Sequence, residues 1–231
     1  FGLASLVSIT RKEKHNVKVV IISEKNEYNH LLDEVKSFKP LVIGFSSVSS
    51  QFNYVKEMAA LIKKLFPSIT IICGGVHPTI NTDALLETEM INGFFVGESE
   101  FSIVEFLNKI EKGEPFKEID NFAYAQNGVV VRNKLKSLIE NLDLLPHPDK
   151  EIYPYKKTIM DLGYAPFFFA RGCPYMCTYC SNHALAGLYG RKRNYPRFRS
   201  PEMCIREIEE VMGKYGKLIE FVWIMDDIFG L

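Results

Sequence analysis

Over its first 120 or so residues the chain alternates short, continuously apolar runs with longer segments whose apolar residues recur every three or four positions. "VKVVIIS" (17–23), "LVIGFSS" (41–47), "SITIICGGV" (68–76) and "GFFVGES" (93–99) are of the first kind. They are rich in β-branched residues and have no polar face, so they predict strands buried on both sides. "FGLASLVSITRKEK" (1–14), "NHLLDEVKSF" (29–38), "FNYVKEMAALIKKLF" (52–66), "TDALLETEM" (82–90) and "FSIVEFLNKIEKG" (101–113) carry helical spacing. Strands of this kind alternating with helices specify an α/β fold with a parallel sheet covered on both faces, a Rossmann-like domain. Ligands of such sheets bind at the carboxyl ends of the strands. "FSSVSS" (45–50), "CGGVHPT" (73–79) and "VGESE" (96–100) fall there.

After residue 120 the pattern changes. "FAYAQNGVVVRN" (122–133) predicts a β-hairpin turning at Asn127-Gly128. "NLDLLPHPDKEIYPYKK" (141–157) holds three prolines without sustained periodicity and predicts a linker. A strand resumes at "APFFFARGC" (165–173), and "SPEMCIREIEEVMGKYG" (200–216) predicts a helix with Ser200 as N-cap and Pro201 in the first turn. "FVWIMDDIFGL" (221–231) predicts one more strand, ending on two carboxylates. The expected organisation is a sheet domain over 1–118, a hairpin and linker over 119–165, and a second α/β domain from 166 to 231.

Composition narrows the function classes. The 28 basic residues balance the 28 acidic ones, so no global field favours nucleic acid or an anionic membrane. The apolar runs are too short to cross a bilayer. No secretory signal is visible, although a chain beginning at Phe1 can hide one. Five cysteines at uneven spacing do not form a disulfide framework, which points to a reducing, cytoplasmic setting.

Three of the five are crowded together. "RGCPYMCTYC" (171–180) sets Cys173, Cys177 and Cys180 at Cys-x3-Cys-x2-Cys spacing in a loop that follows a strand. Structural zinc sites close with four ligands. No fourth thiol lies within the loop, and only His183 nearby or Cys204 on the following helix offers a closing ligand. Iron–sulfur sites built only for electron transfer use four cysteines, so three leave one iron open to an outside ligand.

"CPYMCTYC" resembles the cluster motif of radical S-adenosylmethionine (SAM) enzymes, with Tyr179 as the aromatic residue before the last cysteine. The resemblance implies a four-iron four-sulfur cluster held by Cys173, Cys177 and Cys180. It also implies SAM chelating the open iron, Tyr179 near its adenine, and a 5′-deoxyadenosyl radical as the product of SAM cleavage. The partial (β/α) barrel of that family would begin at residue 166, and an external electron donor of flavodoxin or ferredoxin type would supply the electron. The strand ending in Asp226, Asp227 and Phe229 resembles the Asp-Asp-x-Phe ending found in members with an N-terminal cobalamin-type domain. Either carboxylate is then expected to receive the SAM ammonium or to order the pocket.

The front of the chain resembles that same cobalamin-associated group, with its flavodoxin-like sheet. There Ser46, Ser47 and Ser49 offer hydroxyls, Gly74 and Gly75 permit close backbone approach, and Gly97 with Glu98 forms a third lip. Each has an ordinary reading as turn glycine, loop serine or helix-terminal acid; together at one sheet edge they favour a cobalamin pocket. The Asp-x-His-x-x-Gly pattern that supplies a histidine to cobalt is absent. His77 is therefore expected to be a pocket or turn residue, held extended by the following Pro78.

The implied chemistry is cobalamin-dependent methyl transfer to an unactivated centre of a small-molecule substrate, with oxidative cyclisation as the alternative. A methylthiotransferase is disfavoured, because the front domain has only Cys73 where three further cysteines would be needed. A non-catalytic metal-binding or interaction module is the reading from another class. No strand precedes the first helix, and one βα unit plus a second strand cannot close a barrel, so a fragment cut at both ends is expected. The basic run "GRKRNYPRFRS" (190–200) suits either a solvated loop or an anionic ligand.

Overall fold

The computed structural model describes residues 1–190 and 196–229. Contacts divide the chain into two units, one spanning Thr10–Lys136 and the other comprising Phe1–Ile9 with Ser137–Leu231. The elements in chain order begin with α1 (Gly2–Lys12), α2 (Tyr28–Phe38), β1 (Val42–Ser46), α3 (Phe52–Leu65) and β2 (Thr70–Gly74). The short α4 (Val76–Ile80), β3 (Gly93–Phe95), α5 (Glu100–Lys112), β4 (Phe122–Gln126) and β5 (Val129–Arg132) complete the first unit, whereas α1 through Ile9 belongs to the second.

Its sheet has the order β1-β2-β3-β4-β5. The β1–β2 and β2–β3 pairs are parallel, and β3–β4 and β4–β5 antiparallel. The continuous apolar runs follow from burial on both faces. Ile71, Cys73 and Phe94 point into one core with Leu31 and Val35 of α2 and Val55, Ala59 and Ile62 of α3. Their chain neighbours Ile72 and Phe95 point into the opposite core with Phe106 of α5, Ile119 and Phe122. Side chains of a strand alternate between faces, so both parities must be apolar.

Two expectations are corrected. The sheet is mixed rather than purely parallel, because the hairpin joins it along β3. The hairpin itself turns as read, with Asn127 and Gly128 at φ of 52° and 75°, the positive angles a two-residue turn requires. Residues 17–23 do not form a strand. A strand exists through its ladder, and among the described residues none joins this segment to β1. It still packs Val20 and Ile22 against the α2–α3 core.

Asn121, which the sequence did not single out, locks the far end of this unit. It is buried, with φ of 65°, and its side chain donates to the Val96 carbonyl (2.8 Å). Its Oδ1 accepts from Ser102 Oγ (3.3 Å) and the Lys136 amide (3.1 Å). Asn tolerates the left-handed region because its short amide bonds locally, so one residue fixes both the turn and the chain on either side.

The second unit continues with α6 (Tyr155–Leu162), β6 (Tyr164–Phe167), β7 (Ala170–Arg171), α7 (Ser181–Leu188), β8 (Arg197–Phe198), α8 (Pro201–Tyr215) and β9 (Phe221–Ile224). Strands β6 and β9 pair in parallel, from Tyr164↔Phe221 to Phe167↔Ile224, and β7 pairs antiparallel with β8. These two pairs are the strands described; they do not close a barrel. Phe167 and Phe169 pack with Tyr155 and Ile159 of α6 and Val211 of α8. Helix α8 starts as read, with Ser200 Oγ accepting from the Met203 amide at 3.3 Å and Pro201 in the first turn. The expected linker is partly helical: α6 begins after Pro154 and ends at Gly163, whose φ is 73°. A proline before and a glycine after bound it, signals that the linker reading passed over.

Candidate functional site

Three loops at the carboxyl ends of β1, β2 and β3 meet at one rim of the first unit. The Ser47 amide donates to the Gly74 carbonyl (2.9 Å), and the His77 amide donates to the Ser47 carbonyl (3.1 Å). The Gly97 amide donates to Thr79 Oγ1 (3.1 Å), which ties in the third loop. Ser46 is exposed at this rim and Ser47 is buried, with its hydroxyl on the Val48 carbonyl (2.9 Å). Glu98 follows Gly97 and is half-buried.

Gly75 makes the rim possible. Its φ is 101°, and a Cβ there would lie 2.7 Å from the Ser47 carbonyl oxygen and 2.9 Å from the Ser47 nitrogen. Gly75→Ala is therefore expected to cost about 2–4 kcal/mol through backbone strain and collision with fixed backbone atoms. Denaturant unfolding of the variant measures this, and a loss under about 1 kcal/mol would mean that the loops part freely.

His77 departs from the sequence expectation. It lies in the first turn of α4, not in extended backbone, because its amide bond to Ser47 and the tolerance of a first helical turn for proline outweigh the restriction imposed by Pro78. Its ring is buried, packs tilted at 36° against Phe52 with centroids 4.5 Å apart, and has Nδ1 2.9 Å from Ser49 Oγ. Nε2 is buried without a hydrogen-bond partner among the described residues.

In the second unit the cysteine loop runs from β7 to α7. Gly172, at φ of 88°, turns the chain out of β7 into Cys173. Cys177 is exposed, Cys173 and Cys180 are half-buried, and all three are free thiols. Cys180 stands at the N-cap of α7 in extended backbone, with its amide on the Cys177 carbonyl (3.1 Å). The sequence reading had no helix at 181–188. Tyr179 is 91% exposed.

Among the described residues, no three His, Cys, Asp or Glu side chains converge tightly enough to hold a metal ion. The loop thus supplies three soft, accessible sulfur donors without a preformed cage. That donor set fits an iron–sulfur cluster, and metal sites of this sort commonly take their final geometry only as the metal binds.

The other two thiols are differently placed. Cys73 is fully buried in the sheet core, and burial pushes its thiol up to about 12. Cys204 packs beside the Phe167 and Val211 cluster, where burial, with the Glu207 charge second, raises it to about 11. Both behave as small apolar residues.

The paired carboxylates flank the loop. Asp226 Oδ1 accepts from the backbone amides of Phe169 (2.7 Å) and Ala170 (2.9 Å). Asp227 Oδ2 accepts from Asn182 Nδ2 (2.6 Å) in the first turn of α7, and Phe229 is exposed. In the basic run, Arg191, Lys192 and Arg193 lie outside the described residues. Arg197 and Arg199 are buried and donate to the carbonyls of Ile139 (2.8 Å), Leu145 (3.0 Å) and Pro146 (2.9 Å). Those two guanidiniums hold chain segments together instead of facing a ligand.

No described helix is long and apolar enough to cross a membrane. Residues 1–107 match the family model for the B12 binding domain. Across its whole length the chain is 29% identical to an uncharacterized methyltransferase, PH0819, of Pyrococcus horikoshii, and covers 49% of that protein. It is 27% identical over 79% of its length to the anaerobic magnesium-protoporphyrin IX monomethyl ester cyclase of Rubrivivax gelatinosus, covering 33% of it. The chain thus spans half or less of the curated relatives it matches. Among solved structures, the cobalamin-dependent SAM radical enzyme OxsB, with aqua-cobalamin and SAM bound, superposes with a TM-score of 0.79 at 20% identity. That match covers 99% of this chain and 31% of OxsB. Residues 1–107 therefore match the B12 binding domain, and the chain is similar in fold to the cobalamin-dependent radical SAM enzyme OxsB.

Proposed function

We propose that this chain is part of a cobalamin-dependent radical SAM enzyme that transfers a methyl group to an unactivated centre of a small molecule. The observation that carries the reading is the placement of Cys173, Cys177 and Cys180 on one accessible loop leaving β7, in a chain whose residues 1–107 match the B12 binding domain. These three thiols would hold a four-iron four-sulfur cluster and leave its fourth iron for SAM. Bound there, the cluster supplies the single electron that cleaves SAM. The exposed Tyr179 ring, adjoining Cys180, is free to lie against the adenine.

The rim of the first unit would hold cobalamin. Ser46 and Ser49 present hydroxyls, while Gly74, Gly75 and Gly97 let backbone approach a large planar ligand closely. His77 keeps its ring against Phe52 and Ser49, so it would line the pocket and not serve as a ligand to the cobalt. A metal-binding imidazole normally has its second nitrogen held by a carboxylate or carbonyl, and among the described residues only Ser49 bonds to this ring. The electron would come from an external carrier of flavodoxin or ferredoxin class.

Oxidative cyclisation is the second reading, favoured by the likeness to the magnesium-protoporphyrin ester cyclase. Anaerobic reconstitution with iron, sulfide, cobalamin and SAM separates the outcomes. Methylcobalamin formed from SAM, together with 5′-deoxyadenosine, supports methyl transfer. Deoxyadenosine with no methylcobalamin supports the cyclase class, and an inability to bind either cofactor refutes both.

A further inference from the structure

We infer that Asp226 is a positioning residue for the cysteine loop, acting through the backbone at its entry, and that Asp227 does the same at its exit; this rests on reading that loop as a cluster site. Strands β6 and β9 run in parallel register up to Phe167↔Ile224, and the Met225 amide adds a last ladder bond to the Phe167 carbonyl (2.8 Å). Beyond it the two backbones part. The Asp226 side chain then takes over the ladder, its Oδ1 accepting from the amides of Phe169 at 2.7 Å and Ala170 at 2.9 Å. The Phe169 carbonyl accepts from the Arg199 amide at 2.9 Å, so this residue is held on both sides. Four residues after Phe169 the chain reaches Cys173 through the left-handed Gly172.

The exit is held by the next residue of the same segment. Asp227 Oδ2 accepts from Asn182 at 2.6 Å, two residues after Cys180, at the start of α7. One dipeptide after β9 thus grips both flanks of the three-cysteine segment. A carboxylate that already accepts two backbone amides on one oxygen is a support for its neighbours, and its orientation is set by them. A ligand of the SAM ammonium would instead need its acceptor turned to the substrate side. A loop whose three thiols must close on one cluster gains most from fixed ends, since fixed ends lower the entropy lost when the donors converge.

The test uses the whole chain with Asp226→Ala, Asp226→Asn and Asp227→Ala. Without metal, backbone amide exchange at Phe169 and Ala170 should speed by at least tenfold in Asp226→Ala. It should speed far less in Asp226→Asn, whose side-chain carbonyl still accepts, and remain unchanged in the α2–α3 core of each variant. After reconstitution, chelator should strip iron from Asp226→Ala and Asp227→Ala several-fold faster than from the parent, with partial rescue in Asp226→Asn. Unchanged exchange and unchanged iron retention, with weaker SAM binding alone, would overturn the inference and make Asp226 a SAM ligand. If the parent chain takes up no cluster, the function proposal fails, and the exchange measurement still decides whether Asp226 holds the loop.

Discussion

Replacing Glu207 with alanine should destabilise the second unit by about 3–5 kcal/mol, the cost of stranding a buried charge. Glu207 is 1% exposed and pairs through Oε1 with Lys150, itself 6% exposed. The Lys150 ammonium also lies 4.9 Å from the centre of the Phe167 ring, inside the core beneath β6. Burial lowers the Lys150 pKa from 10.5, and the Glu207 charge opposes that fall. The second carboxylate oxygen, Oε2, has no hydrogen-bond partner among the described residues, so the ion pair is the main compensation for burying this group. Without Glu207, burial and the neighbouring Arg199 charge lower the Lys150 pKa, opposed only by the smaller raising effect of Glu210. The sign of the pH dependence follows. The variant's folded state binds the Lys150 proton more weakly than its unfolded state, whose pKa stays near 10.5. Its deficit should therefore be full below the lowered folded-state pKa and shrink as pH rises toward 10.5, so it should be larger at pH 7 than at pH 9.5. Glu207→Gln keeps an acceptor for Lys150 and should lose less. Urea unfolding of both variants at pH 7 and pH 9.5 measures this; a loss below about 1 kcal/mol at pH 7 would show that water reaches the pair.

Gly93→Ala should be at least as damaging in the first unit. Gly93 is buried in β3, the strand that joins the parallel and antiparallel halves of the sheet. A Cβ there would lie 2.1 Å from Phe122 Cζ, 2.6 Å from Cε2 and 2.7 Å from the Ala123 carbonyl oxygen. Phe122 cannot turn aside cheaply, because its ring is fully buried and packs against Phe95 at 5.2 Å and Phe106 at 5.7 Å. Overpacking a rigid core typically costs about 1–3 kcal/mol, and the added clash with backbone places this substitution at about 4 kcal/mol or more. A double variant, Gly93→Ala with Phe122→Leu, should recover part of the loss, since it removes the two closest atoms. Denaturation midpoints of the single and double variants test this. Equal stability of Gly93→Ala and the parent would mean that β3 and β4 are not held in this register.

What the sequence disclosed tracks how local each cause is. The runs around Ile71–Cys73 and Phe94–Val96 were legible because burial on both faces demands apolar residues at both parities. The turn at Asn127-Gly128 and the cap at Ser200-Pro201 were legible because backbone angles and orphan amides call for those residue types. Residues 17–23 have the chemistry of a strand, but a ladder needs a neighbour that local chemistry does not name. The mixed sheet was hidden for the same reason: a hairpin can be read locally, whereas the edge it joins cannot. Helix α6 was masked by the three prolines before it, although Pro154 and Gly163 bound it.

The site divides in the same way. The spacing of Cys173, Cys177 and Cys180 is a local pattern and stood out at once. The rim was visible as three strand ends, and the structure draws Ser47, Gly74, His77 and Gly97 together through their backbone bonds. The roles of Asp226 and Glu207 depend on partners 57 residues away in sequence, which no local spacing encodes. Arg197 and Arg199 showed the converse: the basic run suited a solvated loop or an anionic ligand, and burial assigned those two to carbonyls of the chain.

The central claim is that the three-cysteine loop holds one iron–sulfur cluster with an open iron. Its most direct test is iron and sulfide content after anaerobic reconstitution, with paramagnetic resonance of the reduced protein, for the parent and for Cys173→Ala, Cys177→Ala and Cys180→Ala. The account predicts about four irons and four sulfides per parent chain, a reduced-state signal that shifts when SAM is added, and loss of most iron in each variant. Unchanged iron in all three variants, or stoichiometric zinc in the anaerobically purified parent, would contradict it.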